Sequence, residues 1–288
     1  MFPIVSKRPL NAAGTVIEFV IKAPLVAKKC LPGQFIVLRL DECGERIPLT
    51  IADYDREAGT VTIMVQPVGQ TTKMLELMEP GDELADFVGP MGKPTEIGHQ
   101  KRVCVVGGGV GCAIAYPIAK EMHERGIEVT FIGGFRSADI VILKDELKAV
   151  SDKLIMCTDD GTYGEKGFTT VFLKKEIEDN IHDGKPQFDR VIAIGPDIMM
   201  KFLADVTRPY GIRTIISLDP IMVDGTGMCG CCRVIVGGET KFACVDGPDF
   251  DAHQVDFDSL IKRAAFYTDE QNKASEHICH ITGGKRNG

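Results

Sequence analysis

The sequence predicts a multi-domain α/β protein: an antiparallel β-barrel, an α/β domain with a parallel sheet, and a small cysteine-rich C-terminal domain. Three changes of texture along the 288 residues predict it. Residues 1–97 carry short β-branched runs between turn signals, and residues 98–212 alternate strand-like with helix-like segments. Residues 213–257 concentrate Gly, Cys and Asp around short strands, and residues 258–288 read as a charged helical tail.

The first part contains "TVIEFVIKA", "GQFIVLRL", "RIPLTIADY" and "TVTIMVQPVG", with partial alternation and a single short helical segment, "TTKMLELME". Strands at this spacing suggest a small antiparallel barrel. Its run "RIPLTIA" alternates Arg46, Pro48 and Thr50. An arginine there offers a planar, permanently charged fork to a pyrophosphate. Thr50 and the neighbouring strand amides suit a flat heterocycle. Gly69, Thr71 and Thr72 stand at a helix start, where amides favour phosphate. Each also has a plain reading, a surface arginine and a helix N-cap.

In the second part, "RVCVVGGGVG" precedes the helical "CAIAYPIAKEMHERG", and "EVTFIGGF", "KLIMCTDDG" and "RVIAIGPD" follow, each with helical sequence after it. That order implies a parallel sheet covered by helices. Gly107, Gly108, Gly109 and Gly111 lie between strand and helix, where a phosphate meets backbone amides. The full G-x-G-x-x-G fingerprint fails at Cys112, and the second strand ends on Arg136 instead of an acid. A dinucleotide site outside the strict Rossmann pattern is therefore expected. Asp159, Gly195 and Asp197 sit at further strand ends, where open α/β sheets bind ligands.

The third part contains "DGTGMCGCC". Cys229, Cys232 and Cys244 fit the last three positions of a C-x4-C-x2-C…C iron–sulfur pattern, with Asp224 in the first. The residues alone leave three readings: an interrupted motif, a zinc site, or a cluster with one oxygen ligand. Six of the ten cysteines are scattered singly and are expected mostly as buried small hydrophobes. His253 and the "HICH" at 277–280 read as packing or surface residues. A net charge of −8 argues against a nucleic-acid partner. No apolar run reaches a membrane span, and "MFPIVSKRPL" lacks a signal-peptide h-region. A cytoplasmic protein with reduced thiols is expected.

The order of barrel, R-x-P-x-T, Gly–Thr helix start and nucleotide domain resembles the ferredoxin–NADP reductase superfamily over about residues 1–212. Members bind FAD on the barrel and a nicotinamide nucleotide on the α/β domain. The resemblance implies FAD contacts from Arg46, Pro48, Leu49, Thr50, Gly69, Thr71 and Thr72, with Gly89-Pro90-Met91-Gly92 leading out of the barrel. Where the family often has a cysteine ahead of the "GPxxMM" glycine, Ile194 stands, so no catalytic thiol is implied.

Residues 219–257 are similar to the cluster domain of dihydroorotate dehydrogenase electron-transfer subunits. They look still more like the small subunits of NADH-dependent reduced ferredoxin:NADP oxidoreductases, also called sulfide dehydrogenase subunits. That family implies a 2Fe–2S cluster on Asp224, Cys229, Cys232 and Cys244; Cys231, where the family commonly has glycine, offers an alternative fourth ligand. The family further implies NAD(H) as substrate and electron transfer through FAD and the cluster, with no general acid–base residue. The electrons would go to a larger subunit carrying FAD and 4Fe–4S clusters, which reacts with ferredoxin and NADP by electron bifurcation. The competing expectations are a dihydroorotate dehydrogenase electron-transfer subunit, against which Asp224 argues, and a non-enzymatic zinc- or nucleotide-binding module.

Overall fold

The chain opens with seven short antiparallel strands, here β1 (Phe2–Pro9), β2 (Ile17–Lys22), β3 (Phe35–Arg39), β4 (Ile47–Asp55), β5 (Thr60–Val65), β6 (Glu83–Leu84) and β7 (Asp86–Met91). They form one sheet in the order β6-β1-β2-β5-β4-β3-β7. The two edge strands are separated in sequence by Ala85 alone, so the sheet must curl until its edges nearly meet. Period-2 alternation fills the barrel: Ile17, Phe19 and Ile21 of β2 pair with Val65, Ile63 and Val61 of β5, all buried. Helices α1 (Pro24–Ala27) and α2 (Gln70–Leu77) complete this part. The structure, a computed structural model, describes residues 1–267.

A second sheet follows, from β8 (Arg102–Gly108), β9 (Glu128–Phe135), β10 (Lys153–Thr158), β11 (Glu165–Lys166), β12 (Arg190–Ile194) and β13 (Thr214–Ser217). Between these strands run α3 (Gly111–Glu124), α4 (Lys144–Ala149), α5 (Thr169–His182) and α6 (Asp197–Thr207). Val103 to Val106 of β8 are all buried, as expected of a strand covered on both faces. The C-terminal segment adds the hairpin β14 (Arg233–Val236) and β15 (Glu239–Phe242), α7 (Ala243–Asp246), β16 (Asp249–Asp251) and α8 (Phe257–Ala264). The sheet order is β11-β10-β9-β8-β12-β13-β16, parallel except that β16 runs antiparallel on the edge. The chain therefore reverses direction across the sheet between β8 and β12, which creates a crevice at their carboxyl ends.

One apolar core joins all three parts. Phe35 and Val37 of the barrel pack in the same cluster as Val106 and Ile216 of the parallel sheet and Cys232, Cys244 and Phe250 of the C-terminal segment. Cys30, Cys104, Cys112 and Cys157 are buried as expected, and Cys43 is exposed. Burial pushes the Cys30 thiol up to about 11 and Cys157 to about 12, so neither is a ready nucleophile. His253 packs by hydrogen bonding the Thr207 hydroxyl at 3.0 Å. Among the described residues no helix is long and apolar enough to cross a membrane. Of the tail, α8 and a 3-10 turn at Ala265–Tyr267 are described. The 277–280 "HICH" lies outside the described residues.

Candidate functional site

A cavity of about 1190 Å³ opens between the barrel and the carboxyl ends of the parallel strands. Its barrel wall holds Phe35, Pro48, Leu49 and Thr50, because the start of β4 faces the second sheet. Arg46 precedes β4 by one residue and its exposed side chain stands off this wall. Gly69, Thr71 and Thr72 also lie off it. The Thr72 hydroxyl accepts hydrogen bonds from the amides of Val68 and Gly69 at 3.1 and 3.0 Å, capping α2. Buried Thr71 donates its hydroxyl to the Glu45 carboxylate at 2.7 Å.

The opposite wall brings together Gly108, Gly109, Gly111, Arg136, Asp159, Gly195 and Asp197. The glycines divide by role. A Cβ on Gly107 would stand 2.7 Å from the Cys112 Sγ, and one on Gly111 would stand 2.3 Å from the Ile194 carbonyl oxygen. Both are packing glycines that let α3 lie close on the sheet. Gly109 has φ +56° and open space around it, so it makes the left-handed turn between β8 and α3 at the cleft wall. Arg136 has no side-chain partner among the described residues and is exposed, a cation free for a ligand.

The cleft also contains residues that spacing did not reveal. Phe168 is 63% exposed, Ile198 51% and Phe202 53%, and all three line the cavity. Ile198 and Phe202 are one helical turn apart on α6 and make an apolar surface suited to stacking a heterocycle. Asp219, on the exit from β13, faces the same space. Burial pushes the Asp197 carboxyl up to about 6, with a smaller push from the Asp219 charge. Burial raises Asp219 as well, although its position in the cleft leaves it open to water.

The cysteine segment wraps back against the barrel. A Cβ on Gly225 would meet the Met91 Sδ at 2.6 Å and the Val37 Cγ2 at 3.2 Å, so only glycine brings this loop so close. Gly225, Gly227 and Gly230 have φ of +75°, +85° and +69°. The four expected donors fall into two pairs. The Cys229 Sγ lies 3.4 Å from the Asp224 Oδ1, and the Cys232 Sγ lies 3.2 Å from the Cys244 Sγ. Thiolates sharing one tetrahedral ion at bonds of about 2.3 Å stand about 3.8 Å apart, so small movements seat each pair on a metal. Among the described residues no three such side chains close around a single ion.

The loop is built for negative charge. Asp224 accepts from the amides of Thr226, Met228 and Cys229 at 3.1, 3.1 and 3.0 Å. Desolvation opposes ionisation there, but these bonds hold the carboxyl down to about 2. Hydrogen bonding from the backbone amides of Cys231 and then Asp224 lowers the exposed Cys229 thiol, against a smaller upward push from the Asp224 carboxylate. Burial, and then Cys232 beside it, push Cys244 up to about 12, the behaviour of a thiol that needs a metal to ionise. The buried amide of Cys232 has no hydrogen-bond acceptor among the described residues. An inorganic sulfide is the kind of acceptor it lacks, so the donor set and this orphaned donor fit an iron–sulfur group.

Comparison with known proteins agrees. Residues 219–256 match the iron–sulfur cluster binding domain of dihydroorotate dehydrogenase B. A Thermotoga maritima homolog of the dihydroorotate dehydrogenase B (NAD(+)) electron transfer subunit is 46% identical, over 96% of this chain and 95% of its own. The corresponding Fusobacterium nucleatum electron transfer subunit is 32% identical, over 83% of this chain and 92% of its own. Among solved structures, a chain of an NADH-dependent reduced ferredoxin-NADP oxidoreductase, determined for insights into flavin-based electron bifurcation, superposes with TM-score 0.88. It is 45% identical and the match covers 96% of this chain and 98% of that one. Barrel, parallel sheet and cluster segment together make the ferredoxin–NADP reductase-like fold with an iron–sulfur-binding C-terminus. The chain belongs to the family of dihydroorotate dehydrogenase B electron-transfer subunits and their homologues, subunits of flavin and iron–sulfur oxidoreductases.

Proposed function

We propose that this chain takes electrons from NAD(H), passes them through FAD in the cleft to a 2Fe–2S centre, and hands them to a larger partner subunit. The assembly is an electron-bifurcating, NADH-dependent ferredoxin:NADP oxidoreductase. The observation that carries the reading is the meeting of three surfaces: barrel Thr50, the β8 glycine turn, and Asp219 and Met222 on the segment leading into the cysteine loop line one cavity. At about 1190 Å³ it exceeds the roughly 300–1,000 Å³ of ordinary ligand pockets, room for two nucleotides face to face.

When bound, the two groups supply between them a hydride acceptor that releases its electrons singly and a one-electron relay. The protein's residues supply place and charge. Pro48, Leu49 and Thr50 hold the heterocycle of the flavin, and Arg46 swings to its diphosphate. The Gly108–Gly109 turn holds the dinucleotide phosphates, and Arg136 adds positive charge. Phe168, Ile198 and Phe202 carry a base. Asp224 with Cys229, and Cys232 with Cys244, would hold the cluster, and their pairing at 3.4 and 3.2 Å supports that ligand set.

Anaerobic purification tests this directly. Two irons per chain, flavin, and visible bands bleached by NADH are expected, and Asp224→Ala is expected to change the iron–sulfur spectrum. A colourless, zinc-loaded chain would end the reading. Co-purification identifies the partner: one that oxidises dihydroorotate, in place of ferredoxin and NADP, would move the chain to the other branch of the family.

A further inference from the structure

We propose that Arg263 is a positioning residue for the cysteine loop, turning the Cys231–Cys232 peptide so that the Cys232 amide faces the cluster. The proposal rests on the reading of Asp224, Cys229, Cys232 and Cys244 as its ligands.

Helix α8 is fixed before it reaches the loop. Its N-cap, Asp256, accepts from the Ser259 amide at 3.0 Å, and its buried Phe257 and Leu260 enter the core shared by all three parts. On its other flank Asp258 receives Lys201 of α6 at 2.7 Å. Held in this way, its last turn presents Arg263, whose Nη2 donates to the Cys231 carbonyl at 3.1 Å. The 231–232 peptide is trans, so its C=O and N–H point in opposite directions. Drawing the carbonyl toward α8 therefore sends the Cys232 N–H toward the other side of the loop. Cys232 is 2% exposed and that N–H finds no acceptor among the described residues. A buried orphan donor is rare, and here it adjoins a ligand sulfur.

Hydrogen bonds to cluster sulfurs and nearby positive charge both stabilise the reduced, more negative state. Removing Arg263 therefore lowers the cluster potential. The experiment is a redox titration of the anaerobically purified chain with its partner, followed by the electron paramagnetic resonance signal, for wild type, Arg263→Met and Arg263→Gln. Arg263→Met is expected to be about tenfold less reduced at a given poise, 59 mV for one electron, with a shifted signal. If Arg263→Met loses its iron, Arg263→Gln decides, since it keeps a donor and packing but not the charged fork. Iron-loaded variants with the wild-type potential and signal overturn the role of Arg263. An iron-free wild type instead rejects the ligand reading beneath it.

Discussion

The Cys232 Sγ lies 3.2 Å from the Cys244 Sγ, although a complete hairpin separates them in sequence. Pairing of β14 with β15 returns the chain on itself, and the Ala243 amide donates to the Cys232 carbonyl at 3.1 Å to lock the two ends together. Cys244→Ser is expected to lower iron per chain more than about tenfold, while Cys43→Ser, on an exposed single cysteine, leaves it unchanged. Iron analysis of anaerobic preparations checks both.

Asp249 predicts a pH effect. Its Oδ2 accepts from the Thr95 hydroxyl at 2.7 Å, and its Oδ1 is buried as well. Burial pushes the carboxyl from 3.8 up to about 6, against the Thr95 hydrogen bond, the Ser217 hydroxyl and the charge of Arg190. The native chain thus keeps this proton to higher pH than the unfolded chain. The contribution is full below about pH 4 and is lost as pH rises through about 6. Between those values wild type should lose up to about 3 kcal/mol more stability than Asp249→Asn, read from denaturant unfolding at each pH.

Gly109 and Gly111 should differ in their tolerance of a side chain. Gly109→Asn meets open space in a left-handed conformation that Asn tolerates, so stability should change by no more than about 1 kcal/mol. At Gly111 even a methyl would strike the Ile194 carbonyl, and Gly111→Ala should cost about 1–3 kcal/mol. Denaturant midpoints of the two series test the division.

Arg46 makes no side-chain hydrogen bond or ion pair among the described residues. Arg46→Ala should leave the flavin-free chain within about 0.5 kcal/mol of wild type. If it clamps the flavin diphosphate, the same change weakens flavin binding about 10–100-fold, measured by fluorescence quenching on reconstitution.

Much of the fold was legible because it rests on short-range patterns. Alternation marked the barrel strands, and buried runs followed by helices marked the parallel sheet. The pairing of β16 with β13 was not legible, since a three-residue edge strand carries almost no periodic signal. The glycine run announced a turn at β8 but did not say which glycines face the cleft. Phe168, Ile198 and Phe202 belong to no motif; only their exposure in the cavity distinguishes them.

The sequence by itself determined the elements, their order, the spacing of Asp224, Cys229 and Cys232, and the glycines that let a chain turn tightly around them. Those properties depend on neighbours a few residues apart. Tertiary structure alone decided that Gly225 seats the cysteine loop on barrel Met91, that one cleft serves both sheets, and that Arg263 reaches the Cys231 carbonyl. Such contacts join residues tens to more than a hundred positions apart, and only the closing of the shared core brings them within a few ångströms.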